Sequence, residues 1–166
     1  MSTTTEKTQH LEKIAELVKN TRIAMLTTLN PNGHFHSRPM ATMDVEFDGT
    51  VWFFTAKSSP KVQEIEADSR VNVAYSNPEK QNYVSLAGRA ELVLDRALNE
   101  KYWNPAFEAW FKDGLDDPEL SLLKIEIESA EYWDSPSSVV AHVSGFVKNK
   151  LLGQTPDVGD HAKIEL

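Results

Sequence analysis

The sequence predicts a mainly β (α+β) domain, a small antiparallel barrel of six strands with flanking helices. Three observations lead there. Short runs of alternating apolar and polar residues recur at hairpin spacing, Asn-Gly and Asp-Gly turn signals separate them, and only a few stretches carry helical periodicity. At 166 residues the chain reads as one domain, with a core over about residues 8–150 and a polar tail over 151–166. A chain of this size buries roughly 70% of its unfolded surface, enough for a core without covalent or metal staples.

The first element is an amphipathic helix from about Glu6 to Asn20, because Leu11, Ile14, Ala15, Leu17 and Val18 fall on one stripe. Ile23 to Leu29 is β-rich, and Asn30-Pro31-Asn32-Gly33 turns the chain, with Gly33 free to take a positive φ. A second strand is expected from about Phe35 to Phe47. Asp48-Gly49 then reads as a hairpin turn into a third strand, Thr50 to Thr55. Ser58-Ser59-Pro60 starts a helix to about Ala67, with proline in the first turn, where its missing N–H costs nothing.

Val71 to Tyr75 is a short fourth strand, and Asn77-Pro78 a turn. Tyr83 to Leu94 alternates as a long fifth strand, with Gly88 at a bend or bulge. From Asp95 to Pro118 the pattern is helical and aromatic, divided at Pro105. Leu122 to Ile127 is the sixth strand, Tyr132 to Pro136 is irregular, and Val139 to Val147 suits one more short strand.

Composition excludes several functions. The chain has no cysteine, so disulfide frameworks, thiolate nucleophiles and cysteine-held metals are ruled out. Seventeen Lys+Arg against 25 Asp+Glu leave a formal charge of −8, which disfavours nucleic acid and anionic membranes as partners. No apolar run approaches the ~20 residues of a membrane span. Met1 to Thr8 lacks the hydrophobic segment of a secretory signal, so a cytoplasmic protein is expected.

Any anionic ligand therefore needs a local cluster of donors. Arg38 lies before the Asp48-Gly49 turn and Thr55 after it, so pairing of the two strands brings both toward one end of the sheet. The next helix begins at that end. Its free N–H groups, Ser59, Lys61 and Arg38 then suit a phosphate. The plainer reading makes Arg38 a charged edge residue and Ser58-Ser59-Pro60-Lys61 only a helix start.

The order of the motifs is more specific than any one of them. A helix, an Asn-Gly hairpin, Ser37-Arg38-Pro39-Met40, a strand ending Phe53-Phe54-Thr55, the Ser59-Pro60-Lys61 helix start and a late Glu131-Tyr132-Trp133-Asp134 follow one another. Together they resemble the pyridoxamine 5′-phosphate oxidase-like FMN-binding split-barrel family, and within it the general stress protein branch. The resemblance implies a six-stranded split barrel that binds FMN, with FAD as the alternative, at the interface of a homodimer.

It also implies residue roles. Arg38 matches the arginine that meets the FMN phosphate, and Pro39, Met40, Ala41 and Met43 lie where the strand runs beside the flavin. Phe54 and Thr55 match the aromatic-threonine pair, and Ser59 and Lys61 the phosphate-binding helix start. Trp133 matches a tryptophan that reaches the flavin from the other subunit. The implied activity is flavin-dependent redox chemistry with a small donor such as NAD(P)H, or a binding or sensing module without efficient turnover. No residue is assigned as catalytic.

Departures from the oxidase pattern argue against pyridoxine phosphate oxidation itself. The arginine of an Arg-x-His element is absent from Val139-Val140-Ala141, with His142 one position beyond. Met43 stands for a lysine and Pro60 for an arginine.

Other signals favour structure over chemistry. His34 and His36 share a strand face but lack a third ligand, so no metal site is assigned. Trp103, Phe107, Trp110 and Phe111 suit packing, with a lid or substrate pocket as the alternative. Glu126 and Glu128 read as the wet face of a strand.

Overall fold

Helix α1 (Thr4–Lys19) turns Ile14, Leu17 and Val18 inward, as the stripe requires, and is followed by β1 (Ile23–Leu29) and β2 (Phe35–Ala41). The computed structural model describes residues 4–135 and 160–166. The remaining elements are β3 (Thr50–Ala56), α2 (Pro60–Ala67), β4 (Arg70–Asn77), β5 (Asn82–Val93), α3 (Arg96–Tyr102), β6 (Leu120–Asp134) and β7 (Asp160–Glu165). Among the described residues no helix is long and apolar enough to cross a membrane.

Pairing is antiparallel throughout, along the path β2-β1-β4-β5-β6-β3. Among the described residues the path does not close by hydrogen bonding: β2 pairs only with β1 and β3 only with β6. The sequence favoured a β2–β3 hairpin, and here the structure differs. Asp48-Gly49 does turn tightly, with the Thr50 N–H donating to Asp48 Oδ1, but the chain has already left the ladder at Ala41. Residues 42–49 cross between the two edges of the sheet, tucking Met43 and Phe47 into the interior and leaving Asp44, Glu46 and Asp48 outside.

Two further expectations change. Residues Tyr132 to Asp134 continue β6 instead of becoming irregular, because β5 supplies partners as far as Asn82↔Asp134. Part of the polar tail is β7, a seventh strand that pairs with the distal half of β6, from Ser129↔Glu165 to Asp134↔Asp160. Thus β3 and β7 share one edge of β6 end to end. The expected strand at Val139 to Val147 lies outside the described residues.

Gly88 does mark a bulge, as the register shifts between Ala87 and Gly88 opposite β6. Glycine is needed there because a Cβ would sit 2.1 Å from the Glu126 carbonyl oxygen. Two cores result. Ile14, Leu26, Phe53, Val73, Leu86 and Ile125 belong to the main core, between the sheet and α1. Phe54, Met43, Phe107, Phe111, Leu120 and Leu122 form a second cluster on the other side of β3. Strand β3 is therefore buried on both faces.

Candidate functional site

A cleft of about 380 Å³ lies between the two ends of the sheet path, within the usual range for small-molecule sites. Strand β2 contributes Pro39, Met40 and Ala41 to it, with Ile23 beside them, and β3 contributes Phe54, Thr55 and Ala56. Its third wall is aromatic. Asn104 caps a short 3-10 turn, Pro105–Ala109, by accepting from the Ala106 N–H, and this turn brings Phe107, Trp110 and Phe111 to the cleft. Phe107 meets Phe54 edge-on with ring centroids 4.9 Å apart, while Trp110 stays 65% exposed at the rim. The aromatic run thus packs the second core and lines the cleft at once.

One end of the cleft is polar. Lys61 Nζ donates to Thr55 Oγ1 at 3.2 Å and to Ser59 Oγ at 3.3 Å, and those two hydroxyls lie 3.4 Å apart. Ser59 occupies the N-cap position of α2, yet its side chain caps no helix N–H; the hydroxyl serves Lys61 instead. The first-turn N–H groups of α2 are consequently left without side-chain acceptors. Burial lowers the Lys61 pKa, the Arg38 charge lowers it further, and Glu64 opposes them. Among the described residues, Lys61 is the one titratable side chain lining the cleft.

Arg38 has a different setting. It points under α2, where Nη1 donates to Thr28 Oγ1 and Nη2 to Glu64 Oε2, both at 2.6 Å. Glu64 is itself buried and receives Thr28 Oγ1 at 2.5 Å, with His36 Nδ1 at 3.1 Å from its other oxygen. Burial alone would raise its pKa, but the hydrogen bonds from Thr28, His36 and Arg38 outweigh that and hold it at about 2. Arg38 is neutralised by this carboxylate while remaining close enough for its field to reach Lys61.

The structure brings Pro39, Met40, Ala41, Phe54, Thr55 and Lys61 together in the cleft, with Ser59 joined to it through Lys61. Arg38 stands behind the polar end. Met43 lies in the aromatic cluster and faces another cavity. Trp133 is at the far end of β6, stacked on His161 with centroids 5.2 Å apart. Ser121, opposite Thr55, is twelve residues back along the strand, roughly 40 Å at ~3.3 Å per residue. His34 and His36 join no group of metal ligands among the described residues. Sequence reasoning missed Glu64, although its place one turn after Lys61 on α2 was a signal.

Comparison with known proteins agrees with this architecture. A family model described as pyridoxamine 5′-phosphate oxidase like matches residues 9–157. The chain belongs to that family. Within the pyridoxamine 5′-phosphate oxidase-like proteins it falls in the general stress protein 26 branch. General stress protein 26 of Bacillus subtilis is 32% identical over 121 residues, 70% of this chain and 83% of that protein. A general stress protein 26 from Jannaschia shares the fold at TM-score 0.80 and 24% identity, covering 96% of this chain and 99% of that one. The general stress FMN/FAD binding protein from Xanthomonas citri matches at TM-score 0.68 and 30% identity, over 80% and 93% of the two chains.

Proposed function

We propose that this chain is a flavin-binding protein of the general stress type, holding FMN, or FAD as the alternative, in the β2–β3 cleft. The carrying observation is the pairing of chemistries there. A half-buried ammonium with only hydroxyl partners sits at one end of an apolar, aromatic-walled slot. A flavin mononucleotide has the complementary parts, a phosphate dianion and a planar ring. Lys61, Ser59, Thr55 and the first turn of α2 hold the phosphate in this reading, with Arg38 behind them adding field. Pro39, Met40 and Ala41 bring backbone and apolar surface to the ring, and Phe54 and Trp110 bring aromatic surface.

When bound, the flavin supplies hydride or electron transfer with a small donor such as a reduced nicotinamide. The chain's own residues bind, orient and exclude water. Among the described residues, Lys61 is the titratable group that lines the cleft, with no carboxylate or imidazole beside it. The second reading, a binding or sensing module without efficient turnover, is favoured by this lining of the described residues, which offers little acid or base beyond Lys61.

The active unit is proposed to be a homodimer. Ile23, Met25 and Pro39 lie exposed on the outer sheet face near the cleft, and Tyr83 and Trp133 pair on that face at its other end. A two-fold copy packed across this face brings each Trp133 toward its neighbour's cleft. Aromatic and apolar exposure of this kind is typical of the centre of an interface.

Titration with FMN, FAD and riboflavin, followed by flavin fluorescence, tests the reading. The expected result is saturable binding, with FMN tighter than riboflavin; protein that stays colourless with all three overturns it. Anaerobic NAD(P)H then separates the two activities, since fast bleaching marks a reductase and lasting colour a module.

A further inference from the structure

The structure holds a second cavity that shares no lining residue with the flavin cleft. It occupies about 240 Å³ at the mouth of the barrel, between the end of α1, residues 42–47 and the start of β3. Val18, Phe47 and Val51 give it an apolar wall continuous with the main core. Tyr75, Thr42, Thr21 and Thr50 bring hydroxyls to its lining.

Tyr75 comes from the inner face of β4 and is only 3% exposed; its phenol makes no hydrogen bond among the described residues, and its oxygen opens onto the cavity instead of being sealed. Thr42 also lines the cavity, and its buried Oγ1 is unpartnered. Buried polar groups are normally paired, so the sealed Thr42 hydroxyl is a local orphan, while the open Tyr75 phenol is a donor within reach of a guest. Burial pushes the Tyr75 pKa upward, so the group is a neutral donor. At the rim stand Lys19 and Arg22, neither in an ion pair among the described residues, against one carboxylate, Asp44. In a chain of net charge −8 this is a locally cationic opening.

We infer that this cavity is a separate binding site for a small aromatic carboxylic acid bearing a polar group at its far end. The ring lies against Phe47 and Val51, the distal hydroxyl or carbonyl meets Tyr75, and the carboxylate stays at the Lys19–Arg22 rim. At about 240 Å³ the void is smaller than the usual small-molecule pocket, which limits a guest to a single ring with a short side chain. The inference is independent of the flavin reading, because no group in it belongs to the cleft.

The experiment uses the full chain and three probes: 3-(4-hydroxyphenyl)propanoate, the same acid without its ring hydroxyl, and the corresponding hydroxylated alcohol. Calorimetry is expected to show saturable 1:1 binding of the first, weaker binding of the other two, and no displacement by excess FMN. Tyr75→Phe keeps the ring and fold and removes only the donor. It is expected to weaken the hydroxylated acid about fivefold, the worth of one ordinary hydrogen bond, and to leave the unhydroxylated acid unchanged. Arg22→Gln with Lys19→Gln lowers affinity for the acids but not the alcohol, by a margin that shrinks with salt. No saturable binding at millimolar concentration, competition by FMN, or equal affinities in wild type and Tyr75→Phe overturns the inference, the last showing that the phenol meets only water.

Discussion

Lys61 and Glu64 stand one turn apart on α2, and their surroundings are opposite. Glu64 is buried and saturated: Thr28, His36 and Arg38 gather round its two oxygens. Lys61 is half-buried and under-supplied, with two neutral hydroxyls as partners. A charge that the fold neutralises contributes to holding the fold together, whereas one it leaves open is available to a ligand. The comparison assigns Arg38 mainly to the first class and Lys61 to the second, although both cations looked alike as phosphate donors in the sequence.

The largest effect expected is on the saturated side. Glu64→Ala strands the Arg38 guanidinium, 16% exposed, without its carboxylate, and should cost about 3 kcal/mol in urea unfolding. A loss below about 1 kcal/mol would place Arg38 with Lys61 as a free ligand group. On the open side, Lys61→Ala should weaken FMN about 30-fold, near 2 kcal/mol for a charge-assisted contact, while riboflavin affinity and stability barely move. Equal losses for FMN and riboflavin would remove the phosphate from Lys61.

The two groups also predict opposite pH behaviour. The Glu64 pKa is depressed in the folded state, so its contribution is complete above its ordinary value near 4.5 and is lost as pH falls toward about 2. Glu64→Gln should flatten that acid limb. The Lys61 pKa is lowered, so FMN affinity should decline on the alkaline side earlier than an ordinary lysine allows, and Lys61→Arg should shift the decline upward. The smallest effect is expected at Trp133. Its replacement by alanine should weaken FMN only a few-fold, chiefly through the neighbouring subunit, and normal flavin binding by a monomeric variant would refute the shared site.

What was legible in the sequence was local. The stripe of α1, the turn at Gly33 and the bulge at Gly88 follow from periodicity and from glycine chemistry within a few residues. What was not legible depends on distant meetings. Glu64 looks like any helical carboxylate until Thr28 and Arg38, 36 and 26 residues away, close on it. Asp48-Gly49 signals a turn, but not that β2 and β3 will end as opposite edges of the sheet path. Strand β7 escaped notice because only Ile164 is buried among its mostly polar residues. The residues of β2, β3 and α2 that line the cleft were singled out by their order along the chain, which carries information that no single motif does.

The unzipped seam between β2 and β3 carries a mechanical consequence. Apart from the covalent crossing at residues 42–49, main-chain hydrogen bonds among the described residues join those strands only by the long way round, across four intervening strands. A guest lodged in the slot is a short rivet between margins that main-chain bonding leaves unjoined. Its departure should therefore be felt first as faster amide exchange at Met40 and Thr55, before the rest of the sheet loosens.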